Sequence, residues 1–422
     1  MIVPAEKLGP AWWNEFLQVT ENMSAVAVFK DCLTSEETAR MRSCVLQILA
    51  ELARLRTQQY GYRVYVDGLL LEPNQMLHVY DHPPRKGESL ADWARRTFED
   101  KNFGMIINQC ERFNLELSNM MAFKLAPLLE KTGIPTEGII FHLFIGNYDV
   151  TPLGIHVDSP GRSAIHFHLG PGPKTMYTWN AKEYLSLVGE ASCNNKDLDK
   201  YIPVATRSSF GEGDLYYMPE NTYHVGTQEG LSIGLVCWCN NRASYDLALR
   251  LQELLSEQFL RRSERMLKPD RNGLDDHRGV EETLELFDLP EPYEGLTFKD
   301  LLRRVYRDLR YSLHSNAGYR TTPFPDTADR WFALDDVVEA EKPYRMIYAP
   351  LEGTDKLVLY VRGAKIELNN FECIKRLVDV LNQGDRIRVR DLLAVLDEDW
   401  PEEHGLYLLE LIRKHHGLKL AG

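Results

Sequence analysis

Apolar residues recur every three to four positions in two long stretches near the start of the chain, which predicts two helices with buried faces. The first carries Val45, Ile48, Leu49 and Leu52 behind a Thr34–Glu37 capping-box pattern. The second spans 112–131 and carries Leu117, Met120, Met121, Leu125, Leu128 and Leu129. Residues 60–81 are richer in aromatic and β-branched side chains and read as strands, with an exposed loop at Pro83-Pro84-Arg85-Lys86-Gly87. From 138 onward short apolar runs replace the helical stripes. Gly138–Ile145, Ser163–Leu169, Ser209–Met218 and Leu231–Cys239 read as strands, with a turn and a return between Pro219 and His224.

Past Asn241 the helical period returns over 243–266 and 297–312, separated by a polar connector at 268–278 and followed by a loop at 316–329. The end of the chain reads differently again. A hairpin, 357–361 and 365–367, turns at Arg362-Gly363, and three short helices follow near 371–382, 389–396 and 402–414, punctuated by Gly384 and Pro401. Strands bracketed by helices predict an α+β chain, and 422 residues suffice for two or three domains. The expected division is 1–242, a helical connector at 243–340, and a module at 341–422. The connector offers a helical surface for pairing with a second copy.

Composition narrows the function classes. A formal charge of −13 and a pI near 5.5 argue against broad nucleic-acid affinity and favour a basic protein or peptide partner. Seven cysteines, an odd number with no Cys-x-x-Cys pair, fit a reducing compartment better than a disulfide framework or a structural zinc site. Cys237 and Cys239 read as small core residues. No segment approaches twenty apolar residues, so a cytoplasmic enzyme with no membrane contact is expected.

The candidate chemistry lies in the strand-rich stretch. His156 and Asp158 are two residues apart and would point to one face of a strand, where both can grip one metal ion. His224, arriving from the turn after Pro219, can close a two-histidine, one-carboxylate triangle that leaves metal positions open. A lone His-x-Asp is common by chance, so the surrounding sequence carries the argument. It reads G-I-H-V-D-S-P-G-R-S-A-I-H-F-H-L-G-P-G-P-K-T-M-Y-T-W from Gly154, then F-G-E-G-D-L-Y-Y-M-P-E-N-T-Y-H-V-G, then S-I-G-L-V-C-W-C-N-N.

This ordered set, over roughly 138–242, resembles the Jumonji-C (JmjC) type of cupin oxygenase. The resemblance implies a double-stranded β-helix (jelly-roll) barrel flanked by helices and an Fe(II)- and 2-oxoglutarate-dependent dioxygenase that consumes O2 and hydroxylates its substrate. It implies His156, Asp158 and His224 as the iron ligands and Lys174 as the cation that holds the distal carboxylate of 2-oxoglutarate. The Asp158-to-Lys174 interval is longer than the family pattern, and the loop Gly170-Pro171-Gly172-Pro173 is expected to absorb the excess. Asn147, Tyr148 and Thr151 stand where family members place donors toward the cosubstrate, and Thr178 shares the Lys174 face. Asn240 ends the last strand as a supporting candidate.

Other residues admit plainer readings. His166 and His168 share a strand face and would line the pocket wall, hydrogen-bonded, or replace a ligand. His142 reads as a satisfied core histidine, and Asp275-Asp276-His277 as a solvated loop rather than a metal site. The last hundred residues resemble a winged-helix module, and a comparable module in bacterial ribosomal-protein hydroxylases and in leader-peptide recognition domains points to a protein or peptide substrate. The rival readings are a hydroxylase of the same mechanism acting on a free amino acid or natural product, and a non-catalytic cupin binding protein.

Overall fold

The computed structural model describes residues 7–421 except 152, 190–193 and 329. Eleven strands precede Asn241: β1 (Ala27–Phe29), β2 (Arg63–Val66), β3 (Leu69–Leu70), β4 (Phe103–Asn108), β5 (Ile139–Gly146), β6 (Arg162–Pro171), β7 (Lys174–Asn180), β8 (Thr206–Phe210), β9 (Leu215–Met218), β10 (Thr222–Gln228) and β11 (Ser232–Asn240). They form an antiparallel sheet of eight in the order β1-β9-β6-β11-β5-β4-β2-β3 and one of three, β10-β7-β8. The sheets face each other across an inner layer that includes Ala164, Tyr216, Met218 and Val236 from the large sheet and Met176 and Phe210 from the small one.

Strand alternation explains why the runs in this region look almost continuously apolar. The odd-numbered residues Ile139, Phe141, Leu143 and Ile145 of β5, Ile165, Phe167 and Leu169 of β6, and Ile233, Leu235, Cys237 and Cys239 of β11 pack outward into one core. That core also holds Met41, Val45, Ile48, Leu49 and Leu52 of the helix Ser35–Leu55, and Leu117, Met121, Leu125 and Leu128 of the helix Leu115–Thr132. The even-numbered residues face the small sheet. Both faces are therefore covered, the condition under which a strand loses its polar alternation. The capping box is present, with the Thr34 hydroxyl accepting from the Glu37 amide and the Glu37 carboxylate accepting from the Thr34 amide.

Four expectations change. Residues 60–81 form strands only as far as Leu70. Pro73 then opens the helix Pro73–Asp81, because proline pre-sets the first helical turn and Met76, Val79 and Tyr80 bury one face of it. Residues 209–218 do not form one strand. The chain crosses from β8 in the small sheet to β9 in the large one, and Asp214 fixes the crossover by accepting from the Gly211 amide at 2.7 Å and the Asp31 amide at 3.0 Å. The helix after Asn241 ends at Phe259, short of 266. The segment before Lys174 is also less of a loop than expected. β6 itself runs through Pro171, and a register shift at Ile233/Gly234 sets Ile233 opposite Gly170 and Gly234 opposite His168, which leaves Leu169 as a bulge.

After the helix Phe298–Ser315 the chain adds β12 (Val337–Ala340), β13 (Ile347–Pro350), β14 (Lys356–Val361), β15 (Ala364–Asn369), β16 (Ile387–Arg388) and β17 (Leu418–Leu420). They make two three-stranded sheets, β16-β12-β17 and β13-β14-β15. The expected hairpin turns at Arg362-Gly363, where both residues have positive φ, 48° and 81°. The three expected helices occupy Glu372–Gln383, Val389–Leu393 and Glu402–Lys414. A second core, running from Phe332 to Leu418, is built without residues of the large sheet. Among the described residues no helix is long and apolar enough to cross a membrane.

Candidate metal and cosubstrate centre

His156, Asp158 and His224 converge with one ligand atom from each, all within 4.8 Å of one another, and they are the group of this kind found among the described residues. The geometry is set by backbone. His156 and His224 form an isolated antiparallel bridge in which the His156 amide donates to the His224 carbonyl at 3.1 Å and the His224 amide donates to the His156 carbonyl at 2.8 Å. Neither placement is quite the expected one. The chain leaves the ladder after His156, so Asp158 arrives from an irregular segment rather than a regular strand, and His224 sits inside β10 rather than on the turn before it.

The tautomers suit a metal. His156 Nδ1 lies 2.9 Å from the Gly154 carbonyl and His224 Nδ1 lies 3.0 Å from the Thr222 carbonyl. A carbonyl can only accept, so each Nδ1 carries the proton and each Nε2 keeps its lone pair. Burial, together with the neighbouring His156, pulls the His224 imidazole down to about 4, so the ring is neutral near pH 7. Two bare Nε2 atoms and a carboxylate form a donor set suited to a divalent first-row metal such as iron.

The triad opens into a cavity of about 250 Å3 between the two sheets. Lys174 lines it and is only 6 % exposed. Its Nζ lies 5.9 Å from the centre of the Tyr148 ring, and among the described residues it forms no ion pair. A buried ammonium without a counter-charge is costly, and a bound carboxylate removes that cost. In register, Thr178 of β7 stands opposite His224, Met176 opposite Gly226 and Lys174 opposite Gln228, so Lys174 and the histidine ligand share one face of the small sheet. Gly226 keeps the space between them open: a Cβ there would lie 3.0 Å from Met176 Sδ, 3.1 Å from Lys174 Cε and 3.2 Å from Thr151 Oγ1.

The remaining candidates divide. Tyr148 and Thr151 line the cavity. Asn147 instead accepts from the Phe103 amide at 2.7 Å and ties down the start of β4. The Thr178 hydroxyl is directed to the Thr206 carbonyl, 3.4 Å away. Asn240 donates to the Trp238 and Gly138 carbonyls at the end of β11. His168 is fully buried behind His166. Its Nε2 donates to the Gly172 carbonyl at 2.8 Å, so its Nδ1 accepts from His166 Nε2 at 3.4 Å. Burial keeps both rings neutral, with His168 lowered to about 4 and His166 well below its ordinary value. Neither joins the metal ligands.

Apart from His166, which lines the cavity as expected, sequence reasoning missed the opposite wall. Asn108, His142, Val236, His166 and Tyr216 form one row across β4, β5, β11, β6 and β9. Their signal was the even-numbered face of each strand, hidden because the odd-numbered face is equally buried. His142 is only half satisfied: its Nδ1 meets Asn108 Oδ1 at 2.8 Å and its Nε2 has no partner. Asp276 pairs with Arg278 in an exposed loop, as a solvated segment should. Cys237 and Cys239 are core residues, and Cys193 lies outside the described residues.

A His-Asp-His triad and a buried lysine share a cavity between two facing antiparallel sheets, and the fold as a whole is similar to that of solved structures of a 2-oxoglutarate-binding oxygenase. Among the solved structures it is similar to are those of Escherichia coli YcfD. One, an X-ray structure, superposes with a TM-score of 0.51 at 14 % identity, covering 97 % of this chain and 98 % of that one. Another, described as a ribosomal oxygenase in complex with cobalt and 2-oxoglutarate, gives 0.50 at 13 % identity over the same shares. No family model matches the sequence, and no curated protein matches it either.

Proposed function

We propose that this chain is an Fe(II)- and 2-oxoglutarate-dependent dioxygenase that hydroxylates a side chain of a protein or peptide. The observation that carries the reading is the juxtaposition of a triad with both Nε2 atoms free and a buried lysine without a counter-ion in one cavity. His156, Asp158 and His224 would hold the metal, and Lys174 would neutralise the distal carboxylate of the cosubstrate. Ferrous iron bound there supplies the coupling of O2 reduction to oxidative decarboxylation of 2-oxoglutarate, with hydroxylation of a substrate C–H bond as the outcome. The chain's own residues fix ligand geometry, exclude water and orient the cosubstrate. The apolar inner layer around Met176, Met218 and Val236 performs the exclusion, and Tyr148 flanks the lysine.

On this reading the two facing sheets form a double-stranded β-helix, with the segment around Val150 and His156 bridging to β10 as an additional edge of the small sheet. Of the division 1–242, 243–340 and 341–422, a separate C-terminal unit is supported by the second core, which begins at Phe332 and takes in β12, ahead of the expected boundary at 341, and β13–β15 with the three helices support a winged-helix-like module. A polypeptide substrate is favoured by that module's exposed aromatic residues Phe371 and Tyr407. The connector's exposed Tyr245, Leu249, Leu284, Phe287 and Phe298 favour pairing with a second copy. The ribosomal activity named for YcfD fits a polypeptide substrate as well.

The test is anaerobic addition of ferrous iron and 2-oxoglutarate to the metal-free protein, following the visible metal-to-ligand charge-transfer band. A band in the native protein that vanishes in His156→Ala supports the assignment. A native protein that binds iron and cosubstrate without one overturns it.

A further inference from the structure

A second cavity, of about 300 Å3, shares no lining residue with the one that holds the metal triad. Leu115 and Asn119, one turn apart on the helix Leu115–Thr132, line it from the unit that carries the triad. Phe332, Arg362 and Leu418 line it from the C-terminal stretch, Arg362 at the turn between β14 and β15. The segment that leads to Phe332 is strapped in place. The Asp326 amide donates to the Lys414 carbonyl at 2.8 Å, the Arg413 guanidinium to the Ala328 carbonyl at 2.8 Å and His416 Nε2 to the Phe324 carbonyl at 2.7 Å.

Charge along this lining is unbalanced. Four cations, Arg330, Arg362, Arg413 and Lys419, stand against two carboxylates, Asp326 and Glu341. Arg413 is held by Glu410 and Asp326, and Lys419 by Glu341 at 3.1 Å and Glu339 at 3.7 Å. Arg330 and Arg362 are left over, with no ion pair among the described residues. Arg330 is exposed on the anchored strap.

Arg362 is the more telling of the two, being 3 % exposed. Its guanidinium lies 3.5 Å from the centre of the Tyr344 ring, and its hydrogen bonds go to neutral groups, Asn119 Oδ1 at 3.4 Å and Ser118 Oγ at 3.3 Å. Glu341, the carboxylate near enough to act on it, is already bonded to Lys419 and to Asn119 Nδ2. A buried guanidinium without a counter-charge of its own is costly, and an anion in the adjoining cavity offsets that cost.

We infer that this second cavity binds a small molecule through a compact oxyanion, carboxylate or phosphate, recognised by Arg330 and Arg362, with its apolar part against Phe332 and Leu418. Guanidinium suits such a group because its N–H fork matches the spacing of two oxyanion oxygens. The volume is that of a small-molecule site rather than a groove for a chain. Since the lining comes from both the helix Leu115–Thr132 and the C-terminal stretch, an occupant would clamp the two together. The site uses no residue of the metal cavity and stands independently of the oxygenase reading.

The experiment is isothermal titration calorimetry on the full, metal-free chain at fixed ionic strength, with inorganic phosphate, benzoate and neutral benzamide as probes. Phosphate, benzoate or both are expected to bind at one site per chain and to raise the melting temperature. Phosphate alone would identify a phosphate-bearing ligand, benzoate alone a carboxylate, and both a site that reads the oxyanion itself. The affinity should fall about tenfold in Arg330→Gln and again in Arg330→Gln/Arg362→Gln. It should be unchanged in Lys174→Met, whose altered charge lies in the other cavity. Arg330 is exposed and its replacement leaves the core intact, so Arg330→Gln carries the test even where the double variant does not fold. Failure of both anions to bind the native chain would overturn the site. Benzamide binding as tightly as the better anion would overturn the oxyanion assignment, and binding that survives Arg330→Gln but is lost in Lys174→Met would move it to the metal cavity and overturn the inference.

Discussion

His156 and His224 are joined by two backbone hydrogen bonds, 3.1 and 2.8 Å long, while their rings stand 4.3 Å apart. The ladder that spaces the two ligands is made by peptide groups, so truncating either side chain leaves the scaffold standing. His224→Ala is expected to fold, with an unchanged far-ultraviolet circular dichroism spectrum, and to retain less than about a tenth of the bound iron after equilibrium dialysis. Normal iron content in that variant would contradict the ligand assignment.

Lys174 should show opposite effects on stability and on cosubstrate affinity. Replacing an unpaired buried ammonium with an apolar chain of similar length removes a desolvation penalty, so Lys174→Met is expected to stabilise the ligand-free protein by about 1–2 kcal/mol. The same change removes the charge partner of the distal carboxylate and should weaken 2-oxoglutarate binding by about 30-fold or more. Urea denaturation and titration of the charge-transfer band measure the two effects, and weaker stability with unchanged affinity would rule out this role for Lys174.

Gly226 offers a gentler perturbation of the same site. The Cβ of Gly226→Ala would press on the flexible ends of Lys174 and Met176 rather than on backbone. The melting temperature should therefore move by only a few degrees, while the 2-oxoglutarate concentration needed for half-saturation rises several-fold and iron content stays normal. An unchanged half-saturation point would show that this gap is not part of the cosubstrate path.

Glu111 gives a pH prediction away from the metal. Burial raises its carboxyl from an ordinary value of 4.5 to about 7, even though Oε2 accepts from the Phe141 amide at 3.0 Å. Between those values the folded protein binds more protons than the unfolded chain, so this group makes stability fall as pH rises from about 4.5 through 7. Glu111→Gln does not titrate. Its stability relative to the native protein should grow across that window, by on the order of 3 kcal/mol, and level off above it. Denaturation midpoints at pH 5 and pH 8 check the difference, and a gap that is equal at both pH values would refute the shifted carboxyl.

The legible parts of the sequence were those with local causes. The Thr34–Glu37 cap, the Arg362-Gly363 turn and the three C-terminal helices follow from nearby residues, and the structure holds them close to where the pattern put them. His156, Asp158 and His224 were legible because their spacing and surrounding motif carry chemistry. Asn147, Thr178, His168 and Asn240 lie in the expected neighbourhood, and each directs its side chain to backbone groups nearby: for His168 and Asn240 this is the hydrogen-bonded, supporting place the pattern suggested, while Asn147 and Thr178 are turned to structural partners. Arg63, Asn108 and Trp238 were not legible at all. They come from β2, β4 and β11, and only sheet register across four strands brings them to one wall.

The second core, from Phe332 to Leu418, contributes no residue to the cavity, whose lining lies between Arg63 and Trp238. On the proposed reading, reactivity and recruitment would be carried by separate stretches of the chain. Mutational drift in the C-terminal module would then redirect the protein to another client without disturbing the cavity, and a graft of that module onto another oxygenase would transfer choice of target independently of chemistry.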